Sequence, residues 1–462
     1  MGAKIVGITS GLFVIPFMTK YLDPLEIGVY SLIIGLQLVI STIISLQLQQ
    51  PINVLYFEYK NQERKNLITQ SILTLFVVAS FSLGVSLLFI DEFLLLIGSN
   101  LIDYLLEVRL GIVLAYFSSF SGFFEYLFRV SKKSKSLFNL ILCMCIGDVF
   151  FKIYLLSLGY GIKSYLLVML FTSFITILFE IFIFRNSFIN IKFEKNILVD
   201  SLNYSIPLIP YAFWASLSIY LDRFFLEKFF TLEILGLYFI AYKASTLTKF
   251  IAQQISLSYQ TFFFEKANED LSVAIKSAQS FAFFQIIIVL IVVITTNIFS
   301  KEVFLFFFDD KYSGAYTFFL ILNCSTLFRT YYNVKSIGLF YLKKTNLILI
   351  VTSLSFFVGV ILNFSIIKLL NFNSIPFIVV FSQLISYLIV EFYFDKYIDI
   401  KINKKLFVLS NIILILSYLP YFYFLQNTFF ESMYFKIILF SSLTLGTFIL
   451  FYKTLIKKIK LV

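Results

Sequence analysis

Fourteen runs of about 20 mostly apolar residues follow one another along this chain, and a run of that length and composition has one stable form in hydrocarbon. They lie near 3–19, 27–50, 68–90, 104–128, 137–158, 164–184, 203–226, 232–255, 277–299, 313–341, 346–367, 374–394, 406–425 and 433–452. Inside a bilayer every backbone N–H and C=O must be satisfied within the segment, so each run is read as a transmembrane helix. The expectation is an all-α, polytopic membrane protein with about 14 transmembrane helices. Composition agrees: 60% of residues are hydrophobic and the mean hydropathy is +0.93, more than a soluble core uses. The first run carries one early lysine, has no small-residue cleavage site after it and precedes many further spans. It is read as a retained helix rather than a removed signal.

The connectors test the topology. With the N-terminus inside, the inner connectors and tail collect the clusters Lys60, Arg64 and Lys65; Arg129, Lys132, Lys133 and Lys135; Lys401, Lys404 and Lys405; and Lys453, Lys457, Lys458 and Lys460. Lys192, Lys343 and Lys396 fall on the same side. The outer connectors hold Lys20, Lys163, Lys228, Lys301, Lys311 and Lys368. That asymmetry places both termini in the cytoplasm. It also assigns the net charge of +11 to anionic membrane lipids rather than to nucleic acid.

Absent residue types exclude chemistry. The chain has no histidine, which removes imidazole acid–base catalysis, Ser-His-Asp and Cys-His nucleophiles and most zinc or haem sites. Cys143, Cys145 and Cys324 sit in apolar runs and read as buried, inert thiols. No metal and no cofactor is expected. The connectors are too short to house an ATPase. "GYGIKS" at 159–164 lacks the spacing of a phosphate loop.

The chain resembles itself. Tyr21-Leu22-Asp23 matches Tyr220-Leu221-Asp222; Gly28 and Tyr30 match Gly236 and Tyr238 at an offset of 208. Phe57-Glu58 matches Phe264-Glu265, and Phe123-Phe124 matches Tyr331-Tyr332. Six spans separate equivalent points, so the copies share one orientation, as in transporters with parallel repeats. The expected organisation is a six-helix lobe at 1–200, a second at 201–400, and two further helices with a basic tail at 401–462.

Charges inside spans are costly, about 2.5–3.5 kcal/mol each at the bilayer centre, so each needs a reason. Glu125 and Arg129 are four apart near a helix end, a helix-surface pair. Asp148 and Lys152 have the same spacing in mid-helix and read either as a neutralised internal pair or as a switchable ion or proton site. Lys243, Lys249 and Arg329 correspond, at offset 208, to Gly35, Ser41 and Ser121. The first copy manages without charge at those positions, so these cations are assigned to a cleft, with Lys335 nearer the inner interface. A cationic cleft suits an anionic head group. Pro207 and Pro210 fall in the first turns of the seventh run, where a missing N–H costs least. At its outer end Asp222 and Arg223 are adjacent and cannot share a helix face. They read either as interface anchors with separate neighbours or as an outer gate.

The stretches "KYLDPLEIGVYSLI" (20–33), "LNYSIPLIPYAFW" (202–214), "LDRFF" (221–225) and "LGLYFIAYK" (235–243) resemble bacterial O-antigen (Wzx-type) repeat-unit flippases of the multidrug/oligosaccharidyl-lipid/polysaccharide exporter superfamily. The resemblance covers the whole chain in span number and two-lobe plan. It implies translocation of an undecaprenyl-pyrophosphate-linked oligosaccharide across the bacterial inner membrane by alternating access, with no enzymatic step. It further implies coupling to an H+ or Na+ gradient, and polymerase and chain-length proteins as partners in the pathway. Without histidine, coupling falls to carboxylates such as Asp148 or to the membrane potential. Three other readings stay open. A polymerase or ligase would need a large outer loop with catalytic Arg or His. A drug–cation antiporter would need an acidic cleft. An exporter of another lipid-linked glycan is not separated by sequence.

Overall fold

Every one of the fourteen apolar runs contains a helix. The structure, a computed structural model, describes residues 2–459 apart from 60, 189–193, 343, 371–373, 395–396, 398–399 and 419–432. Residues 419–425 of the thirteenth run, and Lys60, Lys192, Lys343, Lys396 and Lys460, lie outside the described residues.

In chain order the helices are α1 (Gly2–Tyr21), α2 (Pro24–Ile44), α3 (Gln49–Glu58), α4 (Asn61–Ile97), α5 (Leu105–Val130), α6 (Ser134–Ser157) and α7 (Gly161–Phe184). Then come α8 (Lys195–Ser205), α9 (Ile209–Phe229), α10 (Leu232–Glu269), α11 (Leu271–Ile298), α12 (Ser300–Phe307), α13 (Ala315–Tyr341), α14 (Thr345–Leu370), α15 (Ser374–Ile389), α16 (Lys404–Leu416) and α17 (Met433–Ile459). No strand occurs among the described residues. The protein is an all-α, polytopic membrane protein. Seven of these helices, α2, α4, α6, α7, α11, α14 and α15, are long and apolar enough to cross a membrane by length and composition alone. Of the ionisable residues that the sequence singles out, Asp148 and Lys152 lie on α6 within that set, and the others lie outside it, on α5, α9, α10 and α13.

Local chemistry explains the boundaries. Pro24 occupies the first turn of α2, where its missing N–H is no loss, and Glu26 reaches back to accept the Asp23 amide at 3.2 Å. Asp270 caps α11, accepting from the Ser272 and Val273 amides at 2.7 and 3.3 Å. Bonding to Ser272, side chain first and then amide, together with the Val273 amide holds its carboxyl below the usual range. Two short helices, α3 and α8, were not separated in the sequence reading. They pack on one another, and the Tyr59 hydroxyl donates to Asp200 at 2.7 Å. Burial first, and that carboxylate second, push the Tyr59 phenol up to about 12.

Two compact units divide the chain, residues 1–239 and 240–462, with the boundary inside α10. In the first, α2 is the central helix, packed against α5 and α9, while α1 pairs with α6 and α7 lies against α5 and α6. Its apolar window is 61% buried, against 11% for α4 and 17% for α6. The peripheral helices therefore turn apolar faces outward to lipid. Cys143 shows the consequence: it is exposed on α6 beside Leu142 and Ile146, not buried as the sequence suggested. An apolar residue in a span has lipid as well as protein to lie against. In the second unit α11 and α13 pack together, α13 and α14 both flank α15, and α16 and α17 lie on α11. The end of α15 runs into a π-turn at Val390–Phe394.

Candidate functional site

Site residues form two local arrangements, and a third group is spread along α10 and α13. The first is at the end of α9 expected to face outward. Arg223 is buried, and its guanidinium donates to the Ser31 carbonyl of α2 at 2.7 Å while lying 5.6 Å from the Phe239 ring. Gly35 of α2 makes room for it: a Cβ there would stand 3.0 Å from the guanidinium. One turn further on, Glu227 is also buried and accepts from the Ser99 hydroxyl and the Asn100 amide, both at 2.6 Å. Lys228 donates to the Ile97 and Gly98 carbonyls at 3.2 and 3.4 Å. Gly98 takes φ +62°, the left-handed turn that ends α4. One turn of α9 thus satisfies the orphan carbonyls ending α4 and the orphan amide of the next turn. Arg223 is singled out by the sequence and Glu227 is not. Its signal was an acid four residues after a buried arginine.

Just beyond, the starts of α2 and α10 touch backbone to backbone. A Cβ on Gly28 would stand 2.1 Å from the Leu232 carbonyl oxygen, and one on Gly236 would stand 1.9 Å from that of Pro24. Both positions require glycine for close approach. The offset of 208 exchanges the two contacts, since 24 maps to 232 and 28 to 236.

A second arrangement is the ion pair of α6. Lys152 Nζ lies 2.6 Å from Asp148 Oδ2, and the Thr172 hydroxyl of α7 donates to Asp148 Oδ1 at 3.2 Å. The Lys152 ammonium also sits 4.4 Å from the Tyr165 ring, which packs edge-on against Tyr30 at 5.1 Å. The structure therefore brings Asp148 and Lys152 together as a neutralised cluster with an aromatic wall.

The cations of the second unit form the third. Lys243 and Lys249 are half-buried on α10, and Lys249 lies 5.2 Å from the Tyr242 ring. Arg329 is exposed on α13, 4.9 Å from the Tyr332 ring. Lys335 differs: it is buried and lies 2.7 Å from Glu391 in the π-turn. A polar chain orients α10. Thr248 donates to Asn323 at 2.6 Å, and Asn323 donates to Thr296 and Asn297 at 2.7 and 2.8 Å. These bonds fix the rotation of α10 about its axis, and with it the direction of Lys249. No cluster of three or more metal-ligating side chains occurs among the described residues.

No protein-family model matches the chain, and no curated protein matches it. Solved structures do. A lipid II flippase MurJ in an inward closed conformation superposes with TM-score 0.74 at 17% identity, covering 98% of this chain and 98% of that one. A multidrug resistance MATE family transporter of the MOP superfamily, in an inward-facing conformation, gives TM-score 0.69 at 12% identity over 90% of this chain and 95% of that one. A MOP superfamily transporter from Pyrococcus furiosus, whose binding pocket is described as of reverse polarity, gives 0.59 at 14% identity over 90% and 94%. At such identities the likeness establishes the fold alone. The chain has the fold that these flippase and MATE structures share.

Proposed function

We propose that this protein is a flippase that moves an undecaprenyl-pyrophosphate-linked oligosaccharide, such as an O-antigen repeat unit, across the bacterial inner membrane by alternating access. The observation that carries the reading is the end-to-end likeness of fold to a lipid II flippase, a protein named for a lipid-linked substrate. The cations Lys243, Lys249 and Arg329 support it by their charge. A pyrophosphate head is an anion, and arginine and lysine are the side chains that hold one. In this reading Lys243, Lys249 and Arg329 bind the head group, Asp222 and Arg223 gate the outer end, Lys335 stays paired with Glu391, and Asp148 and Lys152 act as a neutral pair holding α6 to Thr172 of α7. With the cytoplasm negative, moving each head-group charge outward through the full field gains about 2.3 kcal/mol per 100 mV.

A second reading, export of a drug-like solute, draws on the likeness to MATE transporters. The test separates them. In a deletion strain, lipid-linked repeat units are located and the surface glycan is profiled. Units retained on the cytoplasmic face without surface polymer support the flippase. Single units reaching the surface without chain extension indicate a polymerase, and an unchanged glycan indicates an exporter of something else. Lys249→Ala and Arg329→Ala should each lose export at normal membrane levels. Full activity in both, and in the double variant, would remove the cationic site.

A further inference from the structure

Three acids are buried among the described residues: Glu107, Glu180 and Glu227. Glu107 faces Lys163 at 3.6 Å, and Glu227 accepts two hydrogen bonds. Glu180, on α7, is 2% exposed. Its Oε2 is fully buried, and among the described residues it has no hydrogen-bond partner and the carboxylate no ion pair. Around it lie Ile177 and Phe184 of its own helix and Phe124 and Phe128 of α5, all in one apolar cluster.

The charged groups on the packed elements do not compensate it. From α5 it is faced by another acid, Glu125, which is itself held by Arg129. At the head of α6, Lys133 lies 4.6 Å from the Phe184 ring, a turn away from position 180. Further along α6, Lys152 and Asp148 engage each other. Arg185, at the end of α7, lies on the Phe182 ring. The only charge on α2 is Glu26, at its far end. An anion here would have neither donor nor cation, a costly state in an apolar site. A sodium ion would want several oxygen ligands, and the cluster at this position is aromatic and aliphatic, with the Glu125 carboxylate facing it from α5. A proton needs only the carboxylate.

We propose that Glu180 is the proton-carrying group of the first unit, binding one proton from water on one side of the membrane and releasing it on the other. The step moves one proton onto a carboxylate oxygen and off again, with no electrons transferred. The proposal rests on the transporter reading for its role, since a proton site is of use where a gradient drives movement. Asp148, already engaged by Lys152 and Thr172, offers no such open oxygen pair.

The test is difference infrared spectroscopy on the purified full-length protein in lipid, scanned in pH with and without sodium chloride. Glu180→Gln, neutral and nearly isosteric, is the variant, with size-exclusion behaviour as the folding control. The expected result is a protonated carboxyl band at neutral pH that sodium leaves unchanged and that Glu180→Gln lacks. In the deletion strain the same variant should lower glycan export at least tenfold at normal membrane level. An unchanged band in Glu180→Gln, a band that sodium removes at constant pH, or wild-type export by the variant overturns the proposal. A wild-type band in a protein whose deletion leaves lipid-linked units reaching the surface refutes the flippase reading and leaves the proton site standing.

Discussion

Replacing Gly28 with alanine brings a Cβ to 2.1 Å from the Leu232 carbonyl oxygen. Carbon–oxygen contacts settle near about 3.3–3.6 Å, so the starts of α2 and α10 must part by more than ~1 Å. The obstacle is backbone, so no side-chain rotation relieves it. Overpacking typically costs about 1–3 kcal/mol, and a rigid obstacle puts this case at the upper end. Alanine recovers about 1 kcal/mol through helix propensity. The net expectation is a loss of about 1–2 kcal/mol. Gly236→Ala meets the Pro24 carbonyl at 1.9 Å and should cost the same. Because one separation of the helices relieves both clashes, the double variant should cost little more than either single one, a coupling of about the size of one single loss. The assay is thermal unfolding of the four proteins in the same detergent. Wild-type or higher stability in both single variants would refute the steric reading, and strict additivity would refute the shared crossing. If transport parts these helices, each ~1.4 kcal/mol shifts the balance towards the parted form tenfold.

Other outcomes follow from the same contacts. Glu227→Ala leaves the Asn100 amide and Ser99 hydroxyl without their acceptor and should cost about 1–3 kcal/mol; Glu227→Gln, which keeps one acceptor, should cost less in the same melt. Lys335→Met strands Glu391; breaking a buried pair costs about 3–5 kcal/mol, and with Glu391 partly exposed a loss of about 2–3 kcal/mol is expected, while adding Glu391→Leu should restore part of it; a double variant worse than both singles would contradict this. Asp270 has a carboxyl held below its usual range, so its contribution is present above the unfolded value near pH 4 and is lost as pH falls through the lower folded value. Asp270→Asn should keep the cap and abolish that acid-side component, read as a stability profile between neutral and acid pH. An unaltered profile would remove the assignment.

Much of the fold was legible before any coordinates. Hydrocarbon forces the backbone to bond to itself, so an apolar run of sufficient length reads directly as a helix, and all fourteen runs contain one. Rules that act along the chain were legible too: the proline and Glu26 at the start of α2, and the 208-residue echo that pairs Gly28 with Gly236. The site was legible only as a list of costly charges. Lys243, Lys249, Arg329, Lys335, Asp148, Lys152, Asp222 and Arg223 stand out because a charge in a span needs a reason, and that rule names residues without naming partners. Glu180 and Glu227 passed unremarked though the same rule applies to them.

What the sequence alone determined is therefore the solvent and the secondary structure, because the bilayer acts on each segment independently of the others. What only the tertiary structure decided is which charges are already answered. Asp148 meets Lys152 and Thr172, Lys335 meets Glu391, and Arg223 meets the Ser31 carbonyl 192 residues away. Among the described residues Glu180 meets no donor or cation. Compensation of a buried charge depends on distances of a few ångströms between helices far apart in sequence, and periodicity along one helix carries no information about what faces it.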